Sequence, residues 1–214
     1  MAFENGKTAF GNRNFAAAES HFRRAVEIDG DEAMYWNWLG VTLNARGEHA
    51  GAASVFDQAL GILDQYPVTN GPAERHLMRL EATVQSNKGN ALREMQRYAE
   101  ALHCYEAALN ADPGQERLFY EMGNLYLKTR QFERAEEMFR KSMVAATSED
   151  DPQRVKTRLG LAILYHLTGR DELALNQVQD IEGSGFRVAA DLRDEIVRGA
   201  TRAQEARRTA SLYP

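Results

Sequence analysis

Apolar positions along this chain recur at spacings of three and four, the period of helices with one buried face. Phe15, Ala18, Phe22, Ala25 and Ile28 make one such stripe. Trp36, Leu39, Gly40 and Leu43 make a second, and Ala52, Phe56 and Ala59 a third. The stripes come in pairs, and the pairs repeat. Gly6, Ala18, Phe22 and Ala25 return 34 residues later as Gly40, Ala52, Phe56 and Ala59. Gly89, Ala101, Tyr105 and Ala108 return with the same shift as Gly123, Ala135, Phe139 and Ser142. A repeat of this length predicts two antiparallel helices per copy. Such helices need small residues where their backbones approach, here Gly40 and Ala52, and bulky ones to fill the adjoining hole, here Trp36 and Phe56.

The period breaks in two places. Gly40 and Gly89 are 49 residues apart, 15 more than one repeat. Pro67, Gly71 and Pro72 predict a loop there. The unbroken stretch Ala73 to Gln96 then predicts a first helix lengthened to about six or seven turns, projecting beyond its neighbours. The second break is the acidic linker Glu149, Asp150, Asp151 and Pro152, before a degenerate copy carrying Leu161, Ala162, Tyr165, Gly169, Ala174, Val178 and Ile181. Asp151 is placed to cap the helix that follows, with Pro152 at its first position. Gly30 is expected to end a helix, as glycine does at C-termini, and Gly47 to mark a turn. A last helix, about 188–209, has a narrow apolar stripe of Leu192, Ile196, Ala200 and Ala203, opposite Arg193, Asp194, Arg198, Arg202 and Glu205. It suits the cap that an open-ended array needs, and Ser211 to Pro214 reads as a loose tail.

The pattern resembles the tetratricopeptide repeat. Trp36, Leu39, Gly40, Leu43, Ala52, Phe56 and Ala59 stand at that family's signature positions. A third copy matches through Gly89, Ala101, Tyr105, Ala108 and Pro113, a fourth through Phe119, Gly123, Tyr126, Ala135 and Phe139. The resemblance implies an all-α fold: a right-handed α-solenoid of about five helix pairs with a C-terminal capping helix. It is expected as a single domain over 1–214, with repeats at about 1–32, 33–66, 82–115, 116–149 and 155–187, an insertion at 67–81 and the cap at 188–209.

Charge and chemistry narrow the function. The formal net charge of −5 argues against nucleic acid. The single cysteine, Cys104, excludes an intrachain disulfide and a cysteine-rich zinc site, and reads as a small buried hydrophobe. No two of the five histidines lie three or four apart, so no helical metal pair exists. No phosphate-binding glycine loop or nucleophile elbow is present. No enzyme, cofactor or metal is expected. No apolar run approaches the roughly 18 residues of a membrane span. No basic start with an apolar stretch stands at Met1 to Phe10. A cytoplasmic protein is the simplest reading, and a mature exported chain would read the same.

In the family, first helices line a concave wall, and residues between the signature positions face the groove. The resemblance therefore places Met34, Asn37, Val41 and Asn44 there, then Thr83, Ser86, Asn90 and Arg93, then Arg117, Tyr120, Asn124 and Lys128. The candidate peptide-binding residues are Asn37, Asn44, Ser86, Asn90, Arg93, Arg117, Tyr120, Asn124 and Lys128. An asparagine amide donates and accepts at once, which suits the main chain of an extended segment. Lys7, His76 and Arg79 extend the positive strip, and Glu94 opposes it. The expected partner is a protein or peptide, acidic or with a free C-terminus. The family's two-carboxylate clamp is not met, since Phe3 stands where its first lysine would. Self-association through exposed helix faces is the alternative. The polar run Gln85 to Asn90, with Lys88 where Leu39 and Met122 stand in neighbouring repeats, implies weaker packing, and its cause is left open between function or a second partner and simple degeneration.

Overall fold

The computed structural model describes residues 1–66, 72–115, 117–145 and 151–212, with side chains at all of these except 72, 73 and 206–212. Every element described is a helix. In order they are α1 (Ala2–Gly11), α2 (Phe15–Ile28), α3 (Ala33–Ala45), α4 (His49–Leu63), α5 (Pro72–Glu94) and α6 (Tyr98–Ala111). There follow α7 (Arg117–Lys128), α8 (Phe132–Ala145), α9 (Pro152–Leu167), α10 (Asp171–Gly183) and α11 (Ala190–Leu212). The chain forms two compact units, Met1–Gln115 with α1 to α6 and Glu116–Pro214 with α7 to α11. Helices pair as α1 with α2, α3 with α4, α5 with α6, α7 with α8 and α9 with α10, and α11 packs on α10. This is the α-solenoid fold class.

One contact recurs in four pairs. A second-helix aromatic lies on a first-helix glycine so closely that a Cβ on the glycine would meet its ring at 2.5–2.6 Å: Phe22 on Gly6, Phe56 on Gly40, Tyr105 on Gly89, Phe139 on Gly123. All four aromatics are fully buried. Phe139 also lies against Gly160 of α9, where a Cβ would sit 2.7 Å from the ring. One residue thus joins three helices of the second unit.

The turns inside the pairs are equally regular. Arg13, Gly47, Gln96, Arg130 and Gly169 all have positive φ, between 59° and 83°. The next residue's N–H donates back to the carbonyl five positions earlier in every case: Asn14 to Ala9, Glu48 to Leu43, Arg97 to Leu92, Gln131 to Tyr126 and Arg170 to Tyr165, at 2.7–2.9 Å. This is the Schellman closure of a helix end, which favours glycine at the left-handed position. Three of the five positions carry a side chain instead. Arg13→Gly, Gln96→Gly and Arg130→Gly are each expected to raise stability by about 0.5–1 kcal/mol, and Gly47→Ala and Gly169→Ala to lower it as much. Thermal melts of the five variants check this; loss of stability in the three glycine variants would contradict it.

Several expectations change in detail. Gly30 is not a helix cap: α2 ends through Asp29 at φ −144°, and the Gly30 carbonyl accepts the Trp36 indole N–H at 2.7 Å. The lengthened helix α5 does not simply stand clear of its neighbours. Leu77 and Leu80 in its extension pack against the core cluster of the first unit, because they continue the apolar face of Val84 by one and two turns. Asp151 does cap α9, accepting from the Gln153 N–H at 2.8 Å with Pro152 following. Helix α11 continues through Leu212, past the expected end near residue 209. Pro67 and Gly71 of the expected loop, Glu149 and Asp150 of the linker, and the end of the tail at Pro214 lie outside the described residues.

The second unit is further tied by polar groups. Glu136 of α8 accepts from Arg140 at 2.7 Å, from Arg170 at 2.8 Å and from the Tyr165 hydroxyl at 3.3 Å. Ser142 and Thr157 share a buried hydroxyl bond at 2.9 Å. Thr157 donates its own hydrogen to the Gln153 carbonyl, so Ser142 is the donor between them. Gly199 of α11 comes so near the Asp171 carboxylate, itself 2.6 Å from His166 Nδ1, that no larger residue fits there without displacing it. Ile196 and Ala200 are buried beside it, while Leu192 and Ala203 are half-buried.

Candidate functional site

Residues 34, 37, 38 and 41 share one face of α3, and residues 76, 79, 80, 83 and 87 one face of α5, by the three-and-four spacing of a helix. Because α5 packs across α3, these faces enclose a cavity of about 510 Å³. Met34, Trp38, Val41 and Leu80 supply apolar walls. Asn37, Asn87, Thr83, His76 and Arg79 supply the polar groups. Trp38 is held from behind, stacked on Phe22 at 5.7 Å and met edge-on by Phe10 at 5.5 Å. The wall is therefore preformed.

Asn37 and Asn87 form the polar centre of this cavity. The Asn87 amide donates to the Asn37 carbonyl at 2.9 Å, and Asn37 is only 7% exposed. Each side-chain amide has two N–H donors and a carbonyl oxygen with two lone pairs. The bond uses one N–H of Asn87 and one lone pair of the Asn37 carbonyl. Among the described residues, no hydrogen bond reaches the Asn37 amide nitrogen or the Asn87 carbonyl oxygen. His76 and Arg79 are exposed at the rim, and no acidic side chain among the described residues pairs with either.

The polar run in α5 finds its partners within the chain. Asn87 bonds Asn37, Lys88 pairs with Asp57 of α4 at 2.6 Å, and Asn90 accepts from the Tyr105 hydroxyl at 2.8 Å. Tyr105 stands where three of the other pairs carry phenylalanine, so its hydroxyl requires an acceptor when the ring is buried. Asn90 supplies it from the position after Gly89. The run is an interhelix polar seam.

The other expected groove residues are distributed as follows. Asn44 is half-buried against His49, at 2.7 Å from its Nδ1. Ser86 is half-buried on α5. Arg93 pairs with its neighbour Glu94 at 2.8 Å. On α7, Arg117 pairs with Glu121 at 3.3 Å, Tyr120 lies 6.2 Å from the Phe139 ring centre, Asn124 is half-buried and Lys128 is exposed. Lys7 pairs with Glu4 at 2.9 Å and sits over the Phe3 ring. Arg93, Arg117 and Lys7 thus carry counter-ions of their own, and such exposed pairs contribute little to stability. The sequence reading did not single out Trp38 or Leu80. Both were accessible to it, since they share the spacing of Met34 and Val41 and of His76 and Thr83.

Elsewhere the ionisable groups read as structural. Cys104 is buried, and that burial pushes its thiol above the usual range. Burial also raises Glu81, helped by the nearby Asp64 charge. Among the described residues no group of three or more His, Cys, Asp or Glu is placed to hold a metal ion. None of the described helices is long and apolar enough to cross a membrane.

Comparison with known proteins agrees with the repeat geometry. A tetratricopeptide repeat model matches residues 3–67. The model of the fourth ARM domain of tetratricopeptide repeat protein 21 matches residues 84–207. The CTR9 homolog of Arabidopsis thaliana is 27% identical over 188 residues, 86% of this chain, and the chain spans 15% of that protein's length. Among solved structures, PilF of Pseudomonas aeruginosa aligns over 99% of this chain and 86% of its own, at 23% identity and a TM-score of 0.72. YrrB, a TPR protein with an unusual peptide-binding site, aligns over 76% of this chain and 74% of its own, at 21% identity and a TM-score of 0.59. Paired helices closed by one turn geometry, glycine–aromatic contacts in register and two family models along the chain carry one conclusion: this chain belongs to the tetratricopeptide repeat family.

Proposed function

We propose that the chain is a protein-interaction module whose first unit receives an extended partner segment on the wall formed by α3 and α5. The observation that carries this reading is the cavity itself. It is concave, largely apolar, preformed by the Trp38 stack, and holds a few convergent polar groups, the composition of a ligand site. Arg79 at its rim, which pairs with no acidic side chain among the described residues, favours a segment with acidic side chains. That YrrB, a TPR protein of similar fold, has a peptide-binding site supports a peptide as the partner. The second unit offers a strip of its own on α7, where Asn124 and Lys128 follow Tyr120 at one-turn spacing.

The test uses a phage-displayed library of random peptides selected on the whole chain. Selected peptides, remade with a photoreactive group, should label α3 and α5. Thr83→Trp fills the mouth of the cavity from an exposed position and should weaken binding at least about tenfold, the loss of one or two net hydrogen-bond equivalents. Circular dichroism should show the fold unchanged. Labelling confined to other helices, or equal binding by the Thr83→Trp chain, would overturn the proposal. Sedimentation at several concentrations addresses the alternative of self-association: an oligomer that occludes the α3–α5 face argues against peptide capture.

A further inference from the structure

We infer that the side chain this cavity takes is a tyrosine with an acidic residue beside it; the inference rests on reading the α3–α5 wall as the binding face. The cavity, at about 510 Å³, is larger than an aliphatic side chain fills. Its walls suit a ring. The Met34 thioether and the Trp38 indole both make favourable contacts with an aromatic group, and Val41 and Leu80 are apolar. An apolar ring alone, however, would bury the spare Asn37 amide nitrogen and Asn87 carbonyl oxygen without partners, which is costly. A phenolic hydroxyl donates once and accepts as well. It can donate to the Asn87 carbonyl and accept from the Asn37 amide, answering both spare groups with one atom. The chain already uses this chemistry internally: the ring of Tyr105 lies on Gly89 while its hydroxyl donates to the Asn90 carbonyl at 2.8 Å. At the rim, Arg79 carries a permanent positive charge with His76 one turn away. A carboxylate next to the tyrosine in the partner's sequence faces that charge.

The experiment uses four fluorescein-labelled synthetic peptides of Gly and Ser carrying one central residue: tyrosine between two aspartates, phenylalanine between two aspartates, leucine between two aspartates, and tyrosine between two lysines. Fluorescence polarisation is read on the full chain. The aspartate-flanked tyrosine peptide should bind about tenfold more tightly than the phenylalanine one, one good hydrogen-bond pair's worth. It should also exceed the lysine-flanked one by a margin that shrinks as salt is raised. The Asn37→Leu, Asn87→Leu double variant removes both amides together, which leaves no orphaned partner. It should bind the tyrosine and phenylalanine peptides equally. Arg79→Glu, at an exposed position, should invert the preference between aspartate and lysine flanks.

Equal binding of tyrosine and phenylalanine peptides by the parent chain overturns the inference, as does no binding of the aspartate-flanked tyrosine peptide up to about 1 mM, a free energy near −4 kcal/mol. Library peptides that label α3 and α5 but lack tyrosine would sink this inference and leave the binding face standing. Peptides that label other helices would sink the face first.

Discussion

Phe139→Ala is expected to destabilise the second unit by about 3–5 kcal/mol, the range for removing a buried aromatic ring. The site argues for the upper end. Phe139 is fully buried and lies against two glycines on two different helices, Gly123 of α7 and Gly160 of α9. A glycine has no side chain to lean into a vacated space, so neither neighbour can close the hole by changing rotamer. Two interfaces then lose their packing at once, α7 with α8 and α8 with α9. The melting transition of the second unit should fall by about 10 °C or more for a unit of this size. Phe139→Leu, which leaves most of the volume filled, should cost less than half as much. A Phe139→Ala chain that melts within about 1 kcal/mol of the parent would show that the ring is not the joint described here.

Ile196→Asp is the second large effect. Ile196 is completely buried where α11 meets the preceding pair. A carboxylate there would be buried beside Glu195 and one turn from Gly199, which lies against the Asp171 carboxylate. Desolvation and like-charge repulsion act in the same direction, and a loss of several kcal/mol is expected. The variant should release α11 from α10, read as earlier cleavage by trypsin at Arg198 and Arg202 and a lower melting temperature. Leu192→Asp, at a half-buried position, should do the same more weakly. If Ile196→Asp resists trypsin and melts like the parent, α11 is not docked through this face.

Both positions were visible in the amino-acid pattern. The glycine and aromatic of the first four pairs are fixed by close backbone approach, a local demand that recurs at a constant spacing and therefore shows as a repeat. The stripe containing Ile196 showed for the same reason. The Asp151 cap followed from two adjacent residues. What the pattern showed poorly was anything decided between elements distant in sequence. Asn87 and Asn37 are 50 positions apart, and the inserted residues of α5 hide their alignment. The polar seam of α5 looked like weakened packing because its partners, Asn37, Asp57 and Tyr105, belong to three other helices. The positive strip looked stronger than it is, since Glu94, Glu121 and Glu4 answer Arg93, Arg117 and Lys7 at close range. Trp38 was overshadowed by Trp36, the residue at the repeat's aromatic position. Both pack against the core, but Trp38 stacks on Phe22, while the Trp36 indole donates back to the Gly30 carbonyl.

The bond between Asn37 and Asn87 has a consequence for how the first unit opens. In a simple array each helix pair touches only the next, so its ends fray one pair at a time. The contact of α5 with α3 joins two such neighbouring pairs, and it is reinforced by this bond and by Leu77 and Leu80 on the shared core. Local opening of α5 therefore strips α3 of its cover, and opening of α3 removes the bed on which the α5 extension lies. The two helices are expected to exchange their amide hydrogens as one cooperative unit, although 26 residues separate the end of one from the start of the other. Whatever settles between them closes a link that already spans two repeats, so its binding would slow the exchange of both.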